Sequence, residues 1–180
     1  MKPLIIYVSG APGSGKTSLA KLLSEQLNVP HLSSDLIHGG IEFTHSHHNR
    51  TTVVQNILIP LMRDYAQKNI SFVVDHVLYN DMAKTTIIDR LQEVAYVINI
   101  HTITADPIKR YVERISESEL PDIIKRKEVL LGRVEHHRSN LSKSAELIDL
   151  GIPALAVTTN NGYSPTVDDI ISFINQQRDI

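Results

Sequence analysis

Eight residues near the start of the chain, Gly10-Ala11-Pro12-Gly13-Ser14-Gly15-Lys16-Thr17, constrain it more than any other stretch. They satisfy G-x-x-x-x-G-K-[ST] at every fixed position. Glycines so placed let the backbone curl until successive N–H groups converge on one anion. The lysine then reaches the outer phosphates, and the threonine hydroxyl suits Mg2+. A helix starting at the end of such a loop adds the positive end of its dipole. A glycine turn that binds nothing would carry some of the same residues, so the flanks decide. Leu4-Ile5-Ile6-Tyr7-Val8 is a continuous apolar run, as a buried parallel strand requires. Leu19, Leu22, Leu23 and Leu27 fall on one helical face. Strand, loop and helix in that order predict a phosphate-binding loop. Gly10, Gly13, Ser14, Gly15, Lys16, Thr17 and Ser18 are its candidate nucleotide contacts.

The 180 residues suit one domain with a full core, 1–180. A net charge of −2 exerts no general pull toward nucleic acid or anionic membrane, so neither is expected as a partner. Without cysteine, neither a disulfide framework nor a thiolate metal site can form. Lys2 ahead of an apolar run imitates a signal peptide, but the run is short and leads straight into the glycine loop. No stretch has the length of a membrane span, and a cytoplasmic domain, monomeric or homodimeric, is expected.

Val29 to Ser33 predicts a short second strand, ending at Ser34-Asp35 before Leu36-Ile37-His38-Gly39-Gly40. Ser34 or Asp35 would cap a short helix that the glycines end. Asp35 also lies one strand along from the glycine loop. At the C-terminal edge of an open parallel sheet, a carboxylate there is placed to orient an acceptor hydroxyl and take its proton. His38 and Arg50 are candidate acceptor contacts nearby. His45, His47 and His48 crowd the same polar stretch, but three histidines with no cysteine and no fixed scaffold make a weak zinc site. Val53, Ile57, Leu61 and Tyr65 repeat every four residues, with Val54, Leu58 and Met62 alongside, and predict a core-facing helix kinked at Pro60. Ile70 to Val74 is the third strand, and Asp75 at its end is a candidate to hold Mg2+ together with Thr17. Asp75 and His76 also enter the candidate substrate set.

Asn80 or Asp81 caps a helix through about Gln92, and Val94 to about Ile103 is the fourth strand. Asp106-Pro107 is an N-cap followed by proline in the first helical position. Ile108, Tyr111, Val112 and Ile115 form that helix's buried face, with Lys109, Arg110 and Arg114 off it. From about 116 to 144 apolar periodicity gives way to charge, including Arg126, Lys127, Arg133, His136, His137 and Arg138. A solvated helix pair between the fourth and fifth strands is the natural lid. Ala154 to Val157 is the fifth strand, Thr158 to Gly162 a loop placed to pass an adenine, and Ser164-Pro165 the opening of the last helix. Strands alternating with helices throughout imply an α/β fold, its parallel sheet covered on both faces.

With these residues in view, the chain resembles the small P-loop kinases related to nucleoside monophosphate kinases. That group includes shikimate and gluconate kinases, chloramphenicol phosphotransferase and the zeta toxins. The resemblance implies a three-layer α/β/α P-loop NTPase fold with five parallel strands in the order 2-3-1-4-5 and a helical lid. Ser34-Asp35-Leu36-Ile37 is similar to the place where the group carries its acceptor-facing acid. Phe72-Val73-Val74-Asp75-His76-Val77-Leu78 resembles the third-strand segment of the chloramphenicol phosphotransferase branch. Glu113-Arg114-Ile115 is similar to the start of the lid, which implies that Arg114 stacks on adenine. Many relatives carry a second arginine four residues later, where this chain has Ser118. The transition-state cation is therefore open among Arg126, Arg133 and Arg138, and Arg133 stands with Lys16 and Asp35 in the candidate catalytic set. The expected chemistry is transfer of the γ-phosphoryl group of ATP, with Mg2+, to a hydroxyl of a small molecule. The alternatives are a regulatory ATPase or switch, and a nucleoside or nucleotide kinase. A GTPase fits poorly, since Asn160-Asn161 is no N-K-x-D and no D-x-x-G follows the third strand.

Overall fold

The computed structural model describes residues 2–42, 54–79 and 84–178. Its frame is a sheet of five parallel strands in the order β2-β3-β1-β4-β5, as the resemblance implies. The strands are β1 Leu4–Gly10, β2 His31–Ser33, β3 Phe72–Asp75, β4 Tyr96–Ile103 and β5 Ala154–Thr158. Every residue of β1 is buried, and its side chains alternate between two cores as the pleat demands. Ile5 and Tyr7 join Phe72, Val74 and Val97 on one face. Leu4, Ile6 and Val8 join Val73, Ile98, Ile100 and Val157 on the other.

Helix α1 (Lys16–Leu27) covers the second face with Leu19, Ala20 and Leu23, and the last helix α8 (Val167–Arg178) adds Ile170 and Ile174. The first face is covered by α3 (Ile59–Gln67) and α4 (Asp89–Gln92). Each of these two grows out of a π-helical turn, Val54–Leu58 and Lys84–Ile88. Pro60 explains the first turn. Its ring nitrogen has no hydrogen to give the carbonyl four residues back, so it sits in the opening turn of α3 with a wider turn before it. A kink within one continuous helix is thus replaced by a change of helix type. The buried stripe is Leu58, Ile59, Met62 and Ala66: the expected Leu58 and Met62 face the core, while Ile57, expected beside them, is 42% exposed. The π turn adds a residue to the repeat and rotates the face.

Two further expectations change. Helix α2 (Ser34–Glu42) does not stop at Gly39 and Gly40 but runs through them. The last helix begins at Val167, after a Ser164–Pro165 turn in which Ser164 bridges back to Thr158. Thr166 takes over the cap. Its hydroxyl donates to Asp169 Oδ2 at 2.6 Å and accepts from the Asp169 amide at 3.3 Å. By contrast Asp106 caps α5 (Pro107–Glu117) as expected, accepting from the Lys109 amide at 3.0 Å. The charged stretch holds α6 (Pro121–Leu131) and α7 (Val134–Ser139), a helix pair as predicted. Cap candidates Asn80 and Asp81, and His45, His47, His48 and Arg50, lie outside the described residues.

Candidate active site

Register brings the functional ends of the strands level. Val8 pairs with Asp75, Asp75 with Ser33, Gly10 with Thr102, and Ile103 with Thr158. The glycine loop therefore rises from the middle of a polar rim. Gly10 and Gly13 have φ of 140° and 88°, a region closed to most side chains. Space excludes side chains there as well. A Cβ on Gly13 would strike the Pro107 carbonyl, and one on Gly10 would lie 2.6 Å from Ser14 Oγ. The loop is thus pressed against the first turn of α5 and the end of β4. Helix α1 starts at Lys16, and its first intrahelical bond is Leu19 N to Gly15 O at 3.1 Å. No acidic residue occupies that first turn to compete with an anion at its positive end. Lys16 is buried at 7% exposure, while Ser18 is exposed.

Thr17 and Asp75, predicted as a pair, meet: Thr17 Oγ1 donates to Asp75 Oδ2 at 2.7 Å. The other carboxylate oxygen is taken by His31, whose Nε2 lies 2.6 Å from Oδ1. Asp75 is completely buried, so these two partners carry its charge. A hydroxyl and a carboxylate oxygen beside the phosphate loop are the hard donors that Mg2+ takes, and this pair fits a magnesium nucleotide. His31 escaped the sequence reading because one histidine in a three-residue strand has no periodicity to betray it.

Because β3 intervenes between β2 and β1, Asp35 lies two strands from the glycine loop instead of one. It is exposed in the first turn of α2, whereas His38, three residues on, is buried at 2% exposure. His76 leaves β3 toward the same helix, its Nδ1 3.0 Å from Ser34 Oγ. The structure thus groups Asp35, His38 and His76 around the start of α2, and Asp75 at the adjacent strand end. Of the arginines of the charged stretch, Arg138 pairs with Glu135 of its own helix at 2.7 Å. Arg133 is half-buried at the start of α7. Arg126 reaches across to α2: a Cβ on Gly39 would come within 2.9 Å of its Nη1. Arg114 is exposed, its guanidinium 5.6 Å from the centre of the Tyr111 ring.

A second set braces the loop from behind; the sequence reading placed Thr159 in a loop near an adenine and Ser14 in the phosphate loop, and gave Ser9, Asn99, His101, Thr102 and Arg110 no role. Thr102 Oγ1 donates to the Ser9 carbonyl at 3.0 Å and lies 2.6 Å from Ser14 Oγ. Thr159 Oγ1 donates to the Ser14 carbonyl at 2.7 Å. Arg110 Nη1 donates to Thr159 Oγ1 at 2.8 Å and to Thr104 Oγ1 at 2.9 Å. Beneath them, Ser9 Oγ lies 2.7 Å from Asn99 Oδ1 and 2.8 Å from His101 Nδ1. His101 Nε2 faces the Ala145 carbonyl at 3.3 Å, beyond the charged helix pair. Burial holds His101 below the ordinary imidazole pKa, against the opposing pull of that carbonyl, and the neutral ring is favoured. Tyr7 is also pushed up, first by burial and then by the charge of Asp75.

A sheet of this order carrying this loop and this Thr–Asp pair defines a P-loop kinase fold. The chain belongs to the AAA-domain family, whose model matches residues 5–141. Among solved structures, a Chloroflexus aurantiacus protein superposes with a TM-score of 0.71 at 20% identity, covering 98% of both chains. A Sinorhizobium meliloti gluconokinase gives 0.62 at 14% identity, over 98% of this chain and 93% of that one. A Janibacter sugar kinase gives 0.60 at 14%, over 97% and 95%. These likenesses establish the fold of the small P-loop kinases. A curated adenylate kinase of Chlamydia trachomatis serovar L2 is 50% identical over 40 residues, 22% of this chain and 16% of that enzyme. Among the described residues no helix is long and apolar enough to cross a membrane.

Proposed function

We propose that this chain is an ATP-dependent phosphotransferase acting on a hydroxyl of a small molecule. The observation that carries the reading is the Thr17–Asp75 pair, closed at 2.7 Å at the foot of a glycine loop with a buried lysine. Lys16 and the loop amides hold the β- and γ-phosphates, and Thr17 with Asp75 would hold Mg2+, which when bound offsets phosphate charge. Asp35 accepts the proton of the acceptor hydroxyl. The acceptor oxygen then bonds to the γ-phosphorus as the bond to the β–γ bridging oxygen breaks, and ADP leaves. Lid cations, with Arg133 foremost, neutralise the spreading charge, and Arg114 is the candidate partner of the base. Asp35, His38, Asp75, His76 and Arg50 remain the candidate acceptor contacts.

A nucleoside monophosphate acceptor is the second reading, favoured by the short adenylate kinase match. Such an acceptor needs cations for its own phosphate, and Arg63 is already engaged by Glu93 at 2.7 Å. That supports a less charged acceptor. The deciding experiment measures ADP release from MgATP alone and with a panel of sugars, sugar acids, nucleosides, nucleoside monophosphates, shikimate, aminoglycosides and chloramphenicol. Stimulation by one class, lost in Lys16→Ala, is the expected result. Asp35→Asn should lower turnover by about 10²- to 10⁴-fold while ATP affinity stays unchanged. Turnover equal to wild type in Asp35→Asn would remove the proposed base, and partner binding that tracks nucleotide state without any acceptor effect would replace the kinase by a switch.

A further inference from the structure

We infer, on the footing of the nucleotide-binding reading above, that Thr159 oriented by Arg110 is a positioning residue for phosphate binding: from the base side of the site it aims the Gly15 amide. The Ser14–Gly15 peptide is planar and trans, so its C=O and N–H point to opposite sides. Thr159 Oγ1 holds the Ser14 carbonyl at 2.7 Å from behind the loop. The Gly15 N–H is thereby turned to the front, where the phosphates belong. Thr159 also walls in Gly15 itself, since a Cβ there would lie 3.5 Å from Thr159 Oγ1.

A threonine hydroxyl has one hydrogen to give, and its rotor must be set for this hold to work. Arg110 sets it. Its Nη1 donates into Thr159 Oγ1 at 2.8 Å, which leaves the hydroxyl to act as donor toward a carbonyl. Two carbonyls are within reach, Ser14 at 2.7 Å and Ile103 at 3.4 Å, and the shorter contact takes the hydrogen. Arg110 Nη1 also bonds the Thr159 carbonyl at 3.1 Å and Thr104 Oγ1 at 2.9 Å. Asn160 Oδ1 ties the same loop to the segment just after β4 by accepting from Thr104 Oγ1 at 2.8 Å and the Ala105 amide at 2.9 Å. Thr159 is buried at 6% exposure, so water does not substitute for it readily. Thr102 works in parallel on the preceding turn: its hydroxyl holds the Ser9 carbonyl at 3.0 Å, which turns the Gly10 N–H the opposite way. The loop after β5, expected from the sequence to pass an adenine, thus acts on the polyphosphate end.

The test separates phosphate from base. Affinities for ATP, inorganic tripolyphosphate and adenosine are measured by calorimetry for wild type, Thr159→Val and Thr159→Ser. Valine keeps the shape and removes the hydroxyl, whereas serine keeps the hydroxyl. Thr159→Val should weaken ATP and tripolyphosphate about tenfold and leave adenosine within about twofold, and Thr159→Ser should restore both phosphate ligands. Should Thr159→Val fail to fold, Arg110→Gln replaces it, with a loss of about threefold expected for tripolyphosphate and none for adenosine. Tripolyphosphate binding unchanged in the folded variant, or adenosine weakened as much as ATP, overturns the inference while the nucleotide-binding reading stands. A folded wild-type protein that binds neither ATP nor tripolyphosphate overturns both.

Discussion

A buried carboxylate needs a partner for each oxygen, and Asp75 divides its two between Thr17 and His31. Thr17 would be drawn toward a bound nucleotide, so His31 is the partner that remains with Asp75 in either state. Replacing it by leucine would strand Oδ1 in a site with no exposure at all. His31→Leu should therefore cost about 1–3 kcal/mol in urea unfolding, whereas His31→Gln, which retains an N–H at similar reach, should recover most of it. Equal midpoints for the leucine and glutamine variants would show that the hydrogen bond is not the stabilising feature. At this scale the sequence was only partly legible. Lys16, Thr17 and Asp75 could be named because a motif or a strand end marks them. His31, Thr102 and Thr159 act through contacts between strands remote in sequence, and no spacing announces such contacts.

Elements were legible wherever a cap or an unbroken repeat defines them. Asp106-Pro107 opened α5 as read, and Leu19 and Leu23 packed α1 onto the sheet. In α3 the expected Leu58 and Met62 are buried but Ile57 is not, because an i→i+5 turn changes the period that the pattern assumes. The start of α8 falls beyond Ser164-Pro165 for a different reason: Pro165 belongs to the turn before the helix. The stronger signal lay one step on, in Thr166-Val167-Asp168-Asp169, a threonine followed three residues later by an acid. Both halves of that box are present, the Thr166 amide also reaching Asp169 Oδ2 at 3.2 Å. Thr166→Ala should lower stability by about 0.5–2 kcal/mol and Thr166→Ser by much less, read from thermal unfolding. Because α8 buries Ile170 and Ile174 in the core, fraying of its first turn should appear in the global transition, not as a separate local one.

For the whole molecule, sheet order followed from resemblance and the alternation of cores from the pleat, yet the polar bridge across the first core face could not be foreseen. Ser9 on β1, Asn99 and His101 on β4, and the Ala145 carbonyl beyond the charged helix pair form one polar chain. It joins the strand that launches the glycine loop to the segment that follows that helix pair. Ser9 Oγ donates its one hydrogen to Asn99 Oδ1, and His101 sits between that hydroxyl oxygen and the Ala145 carbonyl, where burial opposes a second proton on the ring. Burial lowers the His101 pKa in the folded state below its unfolded value near 6.5, so the unfolded chain binds the extra proton more readily. Stability from this source is complete above about pH 6.5 and is lost as pH falls from there through the folded pKa. Urea midpoints of wild type measured from pH 8 down to pH 5 should decline across that range relative to His101→Gln, which has no proton to gain. The variant should be less stable at pH 8, where it lacks the ring's packing and bonds, and the gap should narrow on acidification. Parallel curves for the two proteins would assign the acid sensitivity to other histidines and leave the bridge a fixed strut.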